Sequence, residues 1–272
     1  MLVDLHSHTT LCNHATGSLE EYVERAVALG IGEFGFSEHS PWMYQDREKL
    51  APDFDEMPQY FQRVEAVQRR YMSHNTAGRR PRIAIRLGIE MDYLPGKVDM
   101  AREYARTNDF DFIIGSVHHI GTWGFDQESQ QALYAQRDVR EVYEEYFGLV
   151  IDMISTGLFD IVGHIDLVKK FGYRPKDGYL DLQESVVRVL RESDMAVELN
   201  TSGMDRPVKE FFPDQRFLAL LYKYKIPVTL GSDAHAPSEV GRYFGEAVSQ
   251  LKAVGYREVL TYEKRRRISV RL

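Results

Sequence analysis

Residues 2–8 read Leu2-Val3-Asp4-Leu5-His6-Ser7-His8, a short apolar run that ends in two histidines set two apart. On an extended segment alternate side chains point the same way, so the two imidazoles face one side and can share one cation. An isolated His-x-His pair could equally be two hydrogen-bonded surface rings, so its weight depends on whether the pattern recurs. It does: runs rich in Val, Ile, Leu and Phe follow at 33–39, 82–92, 110–118, 160–166, 196–200 and 227–233, most of them closing on His, Asp or Glu. Seven strands are therefore predicted, separated by amphipathic stretches of helical period at 18–29, 139–155, 182–192, 214–224 and 238–253. The first helix carries its own punctuation, with Ser18 as cap, Glu21 three residues on and Gly30 as stop.

Alternating strands and helices predict an α/β fold with a parallel sheet. Seven units in 272 residues suit a single domain over 1–272, built as a TIM-like barrel of seven strands or an incomplete one of eight. An open doubly wound sheet would leave the same linear pattern, and the polar strand ends decide for the barrel, whose active sites gather at the C-terminal ends of its strands. One interruption, 40–81, holds Pro41, Pro52 and Pro58, a helical stretch at 57–72 and a polar loop at 73–80, and reads as a lid-like excursion over the barrel mouth.

Composition narrows the function. The chain is 43% hydrophobic and 28% charged with a net charge of -7, which argues against general affinity for nucleic acid or an anionic membrane. The basic cluster at 263–267 reads as a solvated segment. Cys12 is the one cysteine, so no intrachain disulfide forms and a reducing, cytoplasmic setting is expected; it reads as a packed thiol or one beside the site. No secretory leader and no membrane-spanning run is legible.

Eight of the nine histidines fall at or just after predicted strands, His74 being the exception. His14 follows the first strand and His39 ends the second. Glu90 sits inside the apolar run Gly88-Ile89-Glu90-Met91-Asp92, where an unpaired charge would cost several kcal/mol unless a metal or an ion pair with Arg86 relieved it. The fourth strand ends in His118-His119, of which only one can point into the mouth, and His118 is chosen. His164, and Asp233 with His235, repeat the theme. A shared metal cluster satisfies all these polar strand ends together, whereas packing would demand a separate partner for each. Nitrogen and oxygen donors without thiolate suit zinc, manganese or iron, and nine ligands spread over two or three ions leave positions open for water and substrate.

Together these motifs resemble the polymerase and histidinol phosphatase (PHP) family of metal-dependent phosphoesterases: Asp4-Leu5-His6-Ser7-His8-Thr9, Glu90, Gly115-Ser116-Val117-His118, Gly163-His164 and Gly231-Ser232-Asp233-Ala234-His235. The resemblance implies a distorted seven-stranded barrel. It also implies one ion among His6, His8, Glu90 and Asp233, a second bridged by Glu90 to His118 and His164, and a third at His14, His39 and His235. Glu38 stands where an aspartate is usual, a position expected to support the ligands. Within the family, the excursion and the segments at 163–171 and 200–207 resemble the stand-alone histidinol-phosphate phosphatases, implying hydrolysis of the small-molecule monoester L-histidinol phosphate in histidine biosynthesis.

The chemistry expected is in-line attack on phosphorus by hydroxide that the metals make available near neutral pH. Lys170, Arg206 and Arg174 are candidates for the phosphate, and Trp42, Tyr44, Asp46 and Asp92 for the rest of the substrate. A proton for the leaving group could come from a metal-activated water, His39, His235 or His119, and the sequence does not choose. Other PHP activities (a protein-tyrosine phosphatase, a nucleotide phosphodiesterase, an exonuclease), an amidohydrolase-like metal hydrolase, or a module that its metals merely stabilise are the alternatives.

Overall fold

The computed structural model describes residues 1–42, 49–76 and 83–272, apart from the side chains of 72–76. Seven parallel strands form one sheet in the order β1 (Leu2–Asp4), β2 (Ile31–Phe36), β3 (Ala84–Asp92), β4 (Phe112–Ser116), β7 (Ile161–Val162), β8 (Ala196–Asn200) and β9 (Val228–Gly231). A two-stranded hairpin, β5 (His119–Ile120) and β6 (Trp123–Gly124), interrupts the series after β4. The sheet closes on itself: Leu5 N donates to Leu230 O at 3.1 Å, His8 N donates to Ala234 O at 2.9 Å, and Ser7 pairs with Ala234 in parallel. Closure removes the free edges that an open sheet would leave, and it brings the first and last histidine motifs side by side.

Helices cover the outside because their apolar faces match the outward residues of the strands. In α1 (Leu19–Ala28) the buried residues are Leu19, Tyr22, Val23 and Ala26, one helical stripe, and the expected capping box of Ser18 and Glu21 forms. In α4 (Val139–Ser155) a longer stripe from Val142 to Ile154 is buried. The other barrel helices are α3 (Val98–Thr107), α5 (Leu180–Leu190), α6 (Gln215–Lys223) and α7 (Phe244–Val254).

Two features differ from expectation. The strands of 2–8 and 160–166 are much shorter than predicted: past Asp4 the chain keeps only isolated pairings such as Ser7 with Ala234, and past Val162 it turns away at His164, whose φ is 22°, as it does at Asp233 after β9, where φ is 51°. Within the 40–81 excursion, α2 (Met57–Thr76) is the crossover helix between β2 and β3: Tyr60 Oη lies 2.8 Å from both Phe36 O and Gly88 O, its one proton shared between the two carbonyls, and Gln68 Nε2 donates to Ile85 O. Only the part before it can reach the mouth, where Leu50 lines a cavity, and 43–48, with Tyr44 and Asp46, lie outside the described residues. The basic 263–267 cluster is solvated as expected, exposed apart from half-buried Arg265, and lies at the turn of a hairpin of β10 (Glu258–Glu263) and β11 (Arg266–Arg271). There Arg265 pairs with Asp160, and Thr261 Oγ1 donates to Glu33 at 3.2 Å, so the hairpin packs against the barrel end opposite the histidines.

Candidate metal centre

Glu90 lies near the end of β3, 1% exposed, with five imidazoles around one carboxylate. Its Oε1 is 2.9 Å from His164 Nε2 and 3.6 Å from His118 Nε2; its Oε2 is 2.8 Å from His39 Nδ1, 3.5 Å from His6 Nε2 and 3.7 Å from His8 Nε2. Asp233 Oδ1 reaches the same space, 3.3 Å from His8 Nε2 and 3.8 Å from His6 Nε2. Arg86, the alternative partner for Glu90, is committed to Glu33 and Glu263. On the outer side the His235 ring stacks on His8 at 4.2 Å and on His14 at 4.5 Å, and His14 lies 5.6 Å from His39.

The donor atoms fall into overlapping groups that could hold ions: His6, His8 and Glu90; His6, His164 and Asp233; Glu90, His118 and His164; and His8, His39 and His235. His14 joins His235 and Cys12 rather than the last group. Cys12 itself is buried, its Sγ donating to Thr9 O at 3.1 Å.

Each ring is aimed by a group behind it. His6 Nδ1 is 2.7 Å from Glu198 Oε1, which leaves Nε2 for the interior. His8 Nδ1 faces Glu38 Oε1 at 3.5 Å, and Glu38 also accepts from the amides of Thr9 and His39. His118 and His119 both turn to Asp92, their Nδ1 atoms at 3.4 and 3.2 Å. His14 Nδ1 meets Cys12 O at 2.7 Å and His235 Nδ1 meets Asp233 O at 3.1 Å. Glycine makes room for one of these contacts: at Gly231 a Cβ would overlap Glu198 Oε1 and crowd His6.

Electrostatics follow from this crowding. Burial would raise the Glu90 and Asp233 carboxyls, but the surrounding imidazoles hold both well below the usual range. Burial would lower His8, yet the nearby carboxylates of Asp233, Glu38 and Glu90 bring it to about 9; burial would lower His118 too, yet Glu90 and Asp92 bring it to about 9. His39 falls to about 4, by burial and the nearby His8. His235 is pushed down by burial and by His8.

A cavity of about 670 Å³ opens over the cluster, lined by His14, His39, Glu90, His118, His164, Asp233 and His235, with Lys170, Arg206, Asp126 and Glu239 around them. All nine expected ligands are thus brought together, His6 and His8 forming the floor. Lys170 and Arg206 join them, although Lys170 Nζ also donates to Asp126 O at 2.6 Å. Arg174 does not: it pairs with Glu210 at 2.5 Å in a separate cavity, because the loop after His164 carries it outward. Trp42 is buried against Tyr104 and Phe54, clear of the cavity lining. Asp92, a candidate substrate contact, sits behind the histidines, 2% exposed, and His119 stays beside it. Glu198 escaped the sequence reading, though a carboxylate in the apolar run Val197-Glu198-Leu199 carries the same signal that singled out Glu90.

The chain matches the PHP domain model over residues 4–202 and the PHP-associated model over 215–247. The chain is similar to a probable histidinol-phosphatase of Deinococcus radiodurans, 37% identical and covering 95% of each chain. It is also similar to the histidinol-phosphatase of Lactococcus lactis, 26% identical over 96% of this chain and 94% of that one. Among solved structures, the Lactococcus lactis histidinol phosphate phosphatase complexed with zinc, L-histidinol and phosphate superposes with a TM-score of 0.82 at 23% identity, covering 98% of each chain, which establishes the shared fold.

Proposed function

This chain belongs to the PHP domain family, and on that premise we propose that it is a metal-dependent phosphomonoesterase hydrolysing L-histidinol phosphate to L-histidinol and phosphate. The observation that carries the reading is the convergence of buried donor atoms under a cavity edged by two cations. Among the described residues, His6 Nε2, His8 Nε2, His235 Nε2 and Glu90 Oε2 are buried without a hydrogen bond, a cost that bound cations would remove.

The donor set fits two or three divalent ions, with zinc, manganese and iron all suited to imidazole and carboxylate. His6, His8, Glu90 and Asp233 would hold one, Glu90 with His118 and His164 a second, and His14, His39 and His235 a third, His8 standing close to the last group. When bound, the ions supply a nucleophile near neutral pH and neutralise phosphoryl charge. The chain's own residues do the rest. Glu198, Glu38 and Asp92 fix the rings, so the donor atoms need little reorganisation. Lys170 and Arg206 orient the phosphate, the guanidinium through paired donors. Asp126 and Glu239 suit the ammonium and imidazole of the substrate. A proton for the leaving oxygen would come from a water in the cavity, or from His39 or His235, which line it, once the ring nitrogen is released from the metal; His119 is held by Asp92. Leu50, before α2, edges the mouth, the whole of 1–272 acts as one barrel domain, and a cytoplasmic setting goes with a biosynthetic step. No helix among the described residues is long and apolar enough to cross a membrane.

The test is phosphate release from L-histidinol phosphate by metal-replete protein, beside p-nitrophenyl phosphate and bis(p-nitrophenyl) phosphate. Selective turnover of histidinol phosphate, abolished by His8→Ala, is expected. Preference for the diester, or no turnover with metals bound, would overturn the reading.

A further inference from the structure

Lys169 has no exposed surface, although its neighbour Lys170 lines the cavity, and burying an ammonium group is costly unless it is paired. Its Nζ lies 2.7 Å from Asp166 Oδ2, donates to Phe211 O at 2.7 Å, stands 3.5 Å from Glu210 Oε2 and sits 5.3 Å from the centre of the Phe212 ring. Asp166 Oδ2 accepts a further bond from Asp214 N at 3.0 Å. The cation therefore fastens the segment after His164 to a second segment, 201–211.

That second segment is a loop pinched at its base by two hydrogen bonds between Asn200 and Phe212, of 2.7 and 2.9 Å. It is folded tightly enough that a Cβ at Gly203 would overlap Glu210 O. Arg206, one of the two cations on the cavity wall, lies within it. Two bonds cross from the 164–170 segment to this loop: Val208 N donates to Lys170 O at 3.1 Å, and Lys169 Nζ donates to Phe211 O. Both phosphate-facing cations thus belong to segments joined through Lys169.

We propose that Lys169 is a positioning residue: its buried pair with Asp166 clamps the 201–211 loop, so that Arg206 and Lys170 are presented together to the phosphoryl group of the substrate. The proposal rests on the phosphomonoesterase reading for its functional consequence, and on the loop contacts alone for the clamp. The Lys169→Met, Asp166→Asn double variant removes the clamp without leaving a buried charge unpaired, which avoids the heaviest cost of a single change.

Wild type and double variant, both metal-replete, would be compared in KM, kcat, inhibition by inorganic phosphate, bound metal and amide exchange of residues 202–211. The clamp predicts retained metal, kcat within about threefold, KM and the phosphate inhibition constant both raised roughly tenfold, and faster exchange confined to the loop. A purely structural role would lower metal content and kcat together with thermal stability, and would overturn the proposal. Unchanged phosphate inhibition with unchanged exchange would overturn it as well. If the wild type turned over no phosphate ester, the assigned function would fail on its own, while loop exchange in the double variant would still decide whether the clamp exists.

Discussion

A carboxylate as deeply buried as Glu90 stays ionised only where cations offset the lost hydration, and here five imidazoles stand round it. The ring positions depend in turn on groups that never face the cavity. Glu198 is the clearest, because it accepts from His6 Nδ1 and also from the amide of His164 at 2.9 Å, joining two ligand-bearing strand ends. Changing Glu198→Gln keeps the shape but weakens the acceptor, and should lower metal affinity by about 10- to 100-fold in a chelator competition titration. Affinity within twofold of wild type would show that Glu198 does not aim His6. A related outcome is expected for Gly231→Ala, where the added Cβ must displace Glu198: weaker metal binding and a lower melting temperature, both read in the same titration and a thermal scan.

Among the elements, α1 carries a capping box remote from the chemistry, with Ser18 accepting from Glu21 N and Glu21 Oε2 accepting from Ser18 N at 2.6 Å. Ser18→Ala should cost about 1 kcal/mol in urea unfolding and leave turnover unchanged. Loss of activity at full metal occupancy would mean that α1 transmits strain to the His14 loop. The strands behave differently from the helices: β7 comprises only Ile161 and Val162, Gly163 N still donates to Gly115 O at 2.9 Å, and His164 then turns away to reach Glu90. Positive φ at His164 and Asp233 shows backbone strain accepted at donor positions, where the surrounding contacts hold it in place.

At the level of the whole molecule, the cluster couples stability to pH and to metal. In the metal-free protein the surrounding carboxylates raise His8 and His118 to about 9 in the folded state, from 6.5 for an unperturbed imidazole. A raised histidine stabilises fully below its unfolded value and loses that contribution as pH rises through the folded one. His39 and His235, pushed the other way, are neutral in both states above 6.5 and do not act in this window. The metal-free melting temperature should therefore fall between pH 6.5 and 9. Metal-bound imidazoles are already neutral, so the loaded protein should show no such fall. Calorimetry of both forms across this range checks the prediction, and parallel curves would refute it.

What the sequence determined by itself was whatever is written in local order. Seven apolar runs, six of them ending in His or Asp, spaced by amphipathic helices, specify a parallel α/β barrel and the residues at its mouth, because strand direction and side-chain alternation are properties of the chain alone. The capping box at Ser18 was legible for the same reason. Tertiary structure decided which neighbours in sequence become neighbours in space. Lys169 and Lys170 are adjacent, yet one is sealed against Asp166 and the other lines the cavity. Arg174 turns away to Glu210 while Arg206 turns in, and the 263–267 arginines fold back as a hairpin once Asp160 and Asp194 are within reach. Apart from the local pair of Lys169 with Asp166, these outcomes depend on partners tens of residues distant, Phe211 for Lys169 among them, and pairing at that range is settled only when the barrel closes.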